Sequence, residues 1–162
     1  MSTQWIPELQ PNEFPGGTDT TNLMSPDLFH YCIFPLRERS GVPMTPSEVV
    51  RAHVRLKDSD KGSMHYAGGE SLSRASDLFV ANRHVAKVYN TALKIESIGG
   101  FGLYFDTLRK EVRTMFHADD RNGNHRVLWV RDNGVYTYFH HNPIRYYEVL
   151  TKCLKRIGAQ AI

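Results

Sequence analysis

The tripeptide Asp132-Asn133-Gly134 constrains this chain more than any other segment, because it separates two β-rich runs, Val127 to Val130 and Val135 to Phe139. Asn-Gly readily takes the positive-φ backbone of a two-residue turn, so these runs are expected to pair as a β-hairpin. Upstream, Ala75 to Val80 reads as a buried strand, and Phe101 to Phe105 and Arg113 to Ala118 read as two more. Helical spacing of apolar residues marks three other segments. Ser25-Pro26-Asp27 opens the first, with Ser25 as N-cap and Pro26 at the first helical position. Leu28, Phe29, Cys32, Ile33 and Leu36 follow at helical intervals, and Pro35 is expected to kink or divide the helix before Ser40-Gly41. Residues 81–96 form the second, with Val85, Val88, Ala92 and Ile95 on one stripe and Gly99-Gly100 as its end. Ile144 to Ile157 form the third, between Pro143 and Gly158.

These elements predict an α+β fold, a small antiparallel sheet flanked by helices. Residues 42–54 contain a turn at Thr45-Pro46-Ser47-Glu48, followed by a strand or a short helix. Residues 57–69 are a polar loop. Residues 1–25, rich in Pro, Gly, Thr and Asn, read as an irregular arm that packs only where Trp5, Ile6 and Leu9 find a surface. Residues 26–162 make one domain, as a chain of 162 residues suggests.

Composition narrows the class of function. No apolar run approaches the roughly 18–20 residues that span a bilayer, so a membrane partner is not expected. The first fifteen residues lack the basic start and apolar core of a secretory signal. The net charge of +3 comes from scattered basic residues with no run of five, so nucleic acid is not expected as a partner either. Two cysteines, Cys32 and Cys153, without Cys-x-x-Cys spacing exclude a thiolate zinc knuckle and read as buried free thiols. The eight histidines are the more informative resource, since neutral imidazole is a common metal ligand.

Three pieces carry candidate chemistry: Ser63-Met64-His65 in the polar loop, Ala75-Ser76-Asp77 at the start of a strand, and His117-Ala118-Asp119 at the end of another. Two histidines and one carboxylate suit a catalytic zinc, which takes three protein ligands and leaves a fourth position open. A spacing of two on a strand puts His117 and Asp119 on one face, so that one can bind metal while the other carries a proton or orients its neighbour.

The order of these pieces resembles the zinc D,D-carboxypeptidase and L-alanyl-D-glutamate endopeptidase family, which shares its fold with the Hedgehog signalling domain. That family carries Ser-x-His-x-x-Gly-x-Ala-x-Asp, then a helix, a Gly-Gly-x-Gly-x-Tyr strand and a final zinc histidine. Ser63-Met64-His65-Tyr66-Ala67-Gly68, Ala75-Ser76-Asp77, Gly99 to Tyr104 and His117-Ala118-Asp119 match in that order, within a resemblance that spans roughly residues 28–135. The resemblance implies a Hedgehog/DD-peptidase-like fold, zinc held by His65, Asp77 and His117, and Ser63 hydrogen-bonded to substrate. It also implies an arginine on a substrate carboxylate, either Arg51 or Arg55. The chain departs from the family in three places. Residues 69–74 are inserted between His65 and Asp77, Ser73 stands for a glycine, and Thr114 occupies the position of a carboxylate general base. Asp119 is the expected replacement base, with Glu111 as the alternative.

The implied activity is zinc-dependent hydrolysis of peptidoglycan stem peptides, of the D,D-carboxypeptidase or L-Ala-D-Glu endopeptidase type. With no signal peptide, this suits a phage lysin, held in the host cytoplasm until lysis or built into the virion beside other virion proteins. The alternative is an inactive structural, virion or cell-wall-binding protein that keeps the fold, and nucleic-acid binding ranks last. His140-His141 is expected to be a strand end entering a turn, Asp58, Asp60 and Lys61 a solvated loop, and Tyr136, Tyr138, Phe139, Tyr146 and Tyr147 core and hairpin packing.

Overall fold

The structure is a computed structural model that describes residues 9–107 and 110–159. Trp5 and Ile6, expected to anchor the N-terminal arm, lie outside these residues. Six strands are present: β1 (Thr45–Pro46), β2 (Ala75–Ala81), β3 (Gly100–Tyr104), β4 (Arg113–Asp119), β5 (Val127–Asp132) and β6 (Val135–Tyr138). They form one sheet in the order β1-β2-β4-β3-β5-β6. Four α-helices accompany it: α1 (Thr18–Thr21), α2 (Phe34–Ser40), α3 (Val85–Ala92) and α4 (Pro143–Arg156). The fold is α+β.

The sheet is mixed and not wholly antiparallel, which corrects the expectation. All neighbours are antiparallel except β3 and β5. The cause is the route of residues 120–126. They leave β4 beside the start of β3 and cross to the other side of that strand, so β5 enters from the same end and runs with β3. Arg126 pins the crossing by donating to the carbonyls of Leu93, Ile95 and Ile98 at 2.6–2.8 Å. Those carbonyls are therefore engaged outside the helix, and α3 stops at Ala92 instead of continuing to residue 96. Gly100 opens β3. At the other end of β5, Asn133 and Gly134 take φ values of 50° and 77°, the turn that the Asn-Gly pair predicts.

Alternation along the strands separates two jobs. Leu78, Val80, Phe101, Leu103, Phe116, Ala118, Leu128 and Val130 point to one face and join a single buried cluster. Leu28, Cys32, Ile33 and Leu36 enter that cluster from the first helical segment, as do Val85, Val88 and Tyr89 of α3 and Tyr146 and Leu150 of α4. The Tyr146 hydroxyl donates to that of Tyr89 at 3.2 Å, tying α4 to α3. The opposite face carries a row in register across five strands: Asp77, His117, Gly102, Trp129 and Tyr138.

Pro35 acts as its chemistry dictates. Leu28–Ile33 is a π-helical stretch in which Phe34 N–H reaches back to Phe29 O, widening the turn before the proline ring. The Tyr31 carbonyl, which a residue with an N–H at position 35 would satisfy, accepts instead from Ser97 Oγ. Residues 9–25 are more ordered than an irregular arm, since Leu9, Phe14 and Met24 are buried in the core. Both cysteines are buried and free. Among the described residues no helix is long and apolar enough to cross a membrane.

Phe116 is fully buried at the centre of the sheet, stacked on Phe101 at 5.5 Å. Phe116→Ala is expected to cost about 3–5 kcal/mol of unfolding free energy, read as a lower denaturant midpoint.

Candidate metal centre

His65, Asp77 and His117 come together as a buried group able to hold a metal ion. Asp77 on β2 and His117 on β4 are direct cross-strand partners. His65 arrives from the loop and is fixed on both sides. Its own N–H donates to Ser63 Oγ at 3.2 Å, and its carbonyl accepts from Arg55 N at 2.8 Å. His65 Nε2 lies 3.1 Å from His117 Nδ1 and 3.5 Å from Asp77 Oδ1, and the latter two atoms are 2.9 Å apart.

The tautomer of His117 follows from its other nitrogen. Nε2 lies 2.8 Å from Asp119 Oδ2, an ionised carboxylate that only accepts, so Nε2 carries the proton and donates. Nδ1 then presents a lone pair to Asp77 Oδ1, another acceptor, beside His65 Nε2. Two acceptors 2.9 Å apart need a positive charge between them, either a proton or a metal ion. Burial opposes charge on His117, but its bonds to Asp119 and Asp77 outweigh that and raise its pKa to about 9. Burial likewise pushes Asp77 up, yet His117 and His65 hold it below the usual carboxylate range. In the metal-free protein a proton on Nδ1 meets the need; a metal ion displaces it. Two imidazole nitrogens and a carboxylate oxygen form the donor set of a first-row transition metal.

Asp119, expected to carry a proton, sits elsewhere in the arrangement. It is fully buried behind His117. Its Oδ1 accepts from Arg121 N and Nε at 3.1 and 2.8 Å, and Oδ2 accepts from Arg121 Nη2 as well as from His117. Burial acts to raise its pKa, but Arg121 and His117 keep it below the ordinary carboxylate range. This geometry fits the orienting role and leaves no oxygen for proton transfer. Glu111 is exposed ahead of β4, and Thr114 points to the core face, where its hydroxyl donates to Asn82 Oδ1 at 2.8 Å.

The inserted residues do not separate the ligands. Gly68 and Ser71 exchange two backbone hydrogen bonds of 3.1 Å across Gly69 and Glu70, a closed turn that takes up the added length. Ser73 is fully buried and donates to the carbonyls of His53 and Ala75. His53 itself is a satisfied core histidine, between Ser76 Oγ and Ser47 O at 2.9 Å each, with burial lowering its pKa.

Gly99, just ahead of β3, and the β3 glycines Gly100 and Gly102 clear room for the site. A Cβ at Gly99 would overlap the Arg121 backbone, at Gly100 the Asp119 carboxylate, and at Gly102 the Trp129 indole. Trp129 lies with its ring centre 5.0 Å from that of His117, and the Arg121 guanidinium lies 5.7 Å from the Trp129 ring centre.

A cleft of about 630 Å³ opens over the metal group. Ser63, Arg51 and Arg55 line it, so the structure brings both candidate arginines to one wall. Asp60 lies behind them, nearly buried and not solvated as expected, with Oδ1 3.0 Å from Arg51 Nη2 and 3.8 Å from Arg55 Nη1. Tyr136 and Tyr138 also line the cleft and are not core residues, whereas Tyr146 is. His140 and His141 are exposed in the turn after β6. Sequence reading overlooked Arg121, Trp129 and Arg131. Arg121 was within reach of it, since two residues beyond Asp119 is the next same-face position; the other two depend on which strands pair.

Asp119→Asn removes the charge that orients His117 and is expected to weaken binding of a divalent transition-metal ion by about 10–100-fold, measured by calorimetric titration. His117→Ala is expected to abolish that binding.

Comparison of the chain with protein-family models, with curated proteins and with solved structures returned no match.

Proposed function

We propose that this chain is a zinc-dependent peptidase acting on peptidoglycan stem peptides, of the D,D-carboxypeptidase or L-Ala-D-Glu endopeptidase type, serving as a phage lysin. One observation carries the reading: His65 Nε2, Asp77 Oδ1 and His117 Nδ1 converge at the floor of an open cleft, with His117 anchored from behind by Asp119. Ligands about 2.0–2.1 Å from a tetrahedral zinc ion lie about 3.3 Å from one another. The separations of 2.9, 3.1 and 3.5 Å straddle that figure, so the residues fit the ion. The ordered motif from Ser63 to Asp119 gives the same reading from the sequence.

When bound, zinc supplies Lewis-acid polarisation of the scissile carbonyl and makes water a nucleophile near neutral pH. The chain's own residues do the rest. Asp119 and Arg121 keep the His117 ring turned so that Nδ1 faces the cleft. Arg51 and Arg55, braced by Asp60, offer guanidinium groups to a substrate carboxylate at one wall. Ser63 stands at the rim beside His65.

A second reading, a virion or cell-wall-binding protein that keeps the site without turnover, draws on a different observation. Asp77 is the only carboxylate among the described residues that line the cleft, and Asp119 is occupied. The two readings part on one assay. Zinc-loaded protein is expected to release cleavage products from a stem pentapeptide, and His65→Ala to reduce release to background. A parent that binds the peptide and leaves it intact supports the second reading.

A further inference from the structure

The sheet face that carries the metal group continues past it. The next same-face row runs Phe79, Met115, Tyr104, Arg131 and Tyr136 across β2, β4, β3, β5 and β6. Arg131 is clamped in this row. Its guanidinium carbon lies 5.6 Å from the ring centre of Tyr104 and 5.7 Å from that of Tyr136. Asp106 braces it from behind, with Oδ2 3.2 Å from Nε, and that oxygen is itself held by Gly134 N at 2.6 Å in the hairpin turn. Among the described residues neither Nη atom of Arg131 donates a hydrogen bond. Its side chain is 33% exposed, and Tyr104, Arg131 and Tyr136 all line the cleft. A planar fork held by two rings and a carboxylate, with both prongs left over, is prepared for a carboxylate and loses little freedom in gripping one.

The charge around it agrees. Arg51, Arg55, Arg121 and Arg131 line the cleft, while Asp60, Asp119 and Asp106, which pair with them, lie outside its lining, so guanidinium groups and not carboxylates face an entering ligand beside Asp77. Arg131 also lies on the far side of the metal group from Arg51 and Arg55. Those two neighbour the His65 loop beside β1 and β2, whereas β5 is two strands beyond β4. Two strand spacings are about 10 Å, the span of about three residues of extended peptide.

The geometry points to Arg131, clamped between Tyr104 and Tyr136, as a carboxylate subsite, so that the substrate is an acidic peptide lying across the sheet face with one carboxylate about three residues from the carbonyl at the metal group. The choice of peptide rests on the peptidase reading above; the anion subsite is read from Arg131 itself.

The test is calorimetric titration of the zinc-loaded chain with the stem pentapeptide L-Ala-γ-D-Glu-L-Lys-D-Ala-D-Ala as free acid, with its C-terminal amide, and with its D-Glu α-amide. At least one amidation is expected to weaken binding to the parent about tenfold. Arg131→Gln is expected to bind the free acid and that amide within about twofold of each other. Tyr136→Ala, at a half-exposed position, is expected to shrink the same preference with the fold retained. Acid-to-amide ratios in Arg131→Gln equal to the parent's, equal binding of acid and amides by the parent, or no binding of any form overturns the subsite. Hydrolysis recorded in the same samples keeps the two claims apart. A lost preference in Arg131→Gln without cleavage by the parent retains the subsite and removes the peptidase, and cleavage without any preference does the reverse.

Discussion

The hydrogen bond from His117 Nε2 to Asp119 is the interaction on which the site depends. It assigns a proton to Nε2 and turns Nδ1 towards the cleft, beside Asp77 and His65, where the three could hold a metal ion. Asp119 does this only because it is ionised in a dry position, and Arg121 keeps it ionised with three donors from one residue. The pair is bought with space: Gly99 and Gly100 carry no side chain where Arg121 and Asp119 need to lie. Gly99 and Gly100 therefore serve the polar network of the neighbouring strand, and flexibility has no part in it.

The sheet organises everything else through its period of two. Residues that hold the fold together, Leu78, Phe116, Leu103 and Val130, alternate with residues that face the cleft, Asp77, His117, Gly102 and Trp129. Substitution on one set is felt as stability, and on the other as ligand binding. The same alternation places Thr114 on the core side, which explains why it has no part in the site.

Much of this was legible in the chain. The Asn-Gly hairpin, the buried strand at Ala75, the proline-disturbed helix and the grouping of His65, Asp77 and His117, which could hold a metal ion, follow from local pattern and motif order. What was not legible depends on partners far apart in sequence. The parallel pairing of β3 and β5 comes from the crossing of residues 120–126, and the early end of α3 comes from Arg126, which takes carbonyls more than twenty-five residues upstream. Asp60 reads as a loop aspartate until Arg51 and Arg55 are seen to close on it. The tyrosines at 136 and 138 read as hairpin packing until β6 is placed at the edge of the cleft face. The inserted residues 69–74 suggest a changed site, and only the Gly68–Ser71 closure shows that the ligand geometry survives them.

The most direct measurement is a crystal structure of the zinc-soaked protein with anomalous diffraction at the zinc edge. The account predicts one peak, about 2.0–2.2 Å from His65 Nε2, Asp77 Oδ1 and His117 Nδ1, with His117 Nε2 still bonded to Asp119. A peak on His117 Nε2, or no peak at this group while zinc binds elsewhere, contradicts it.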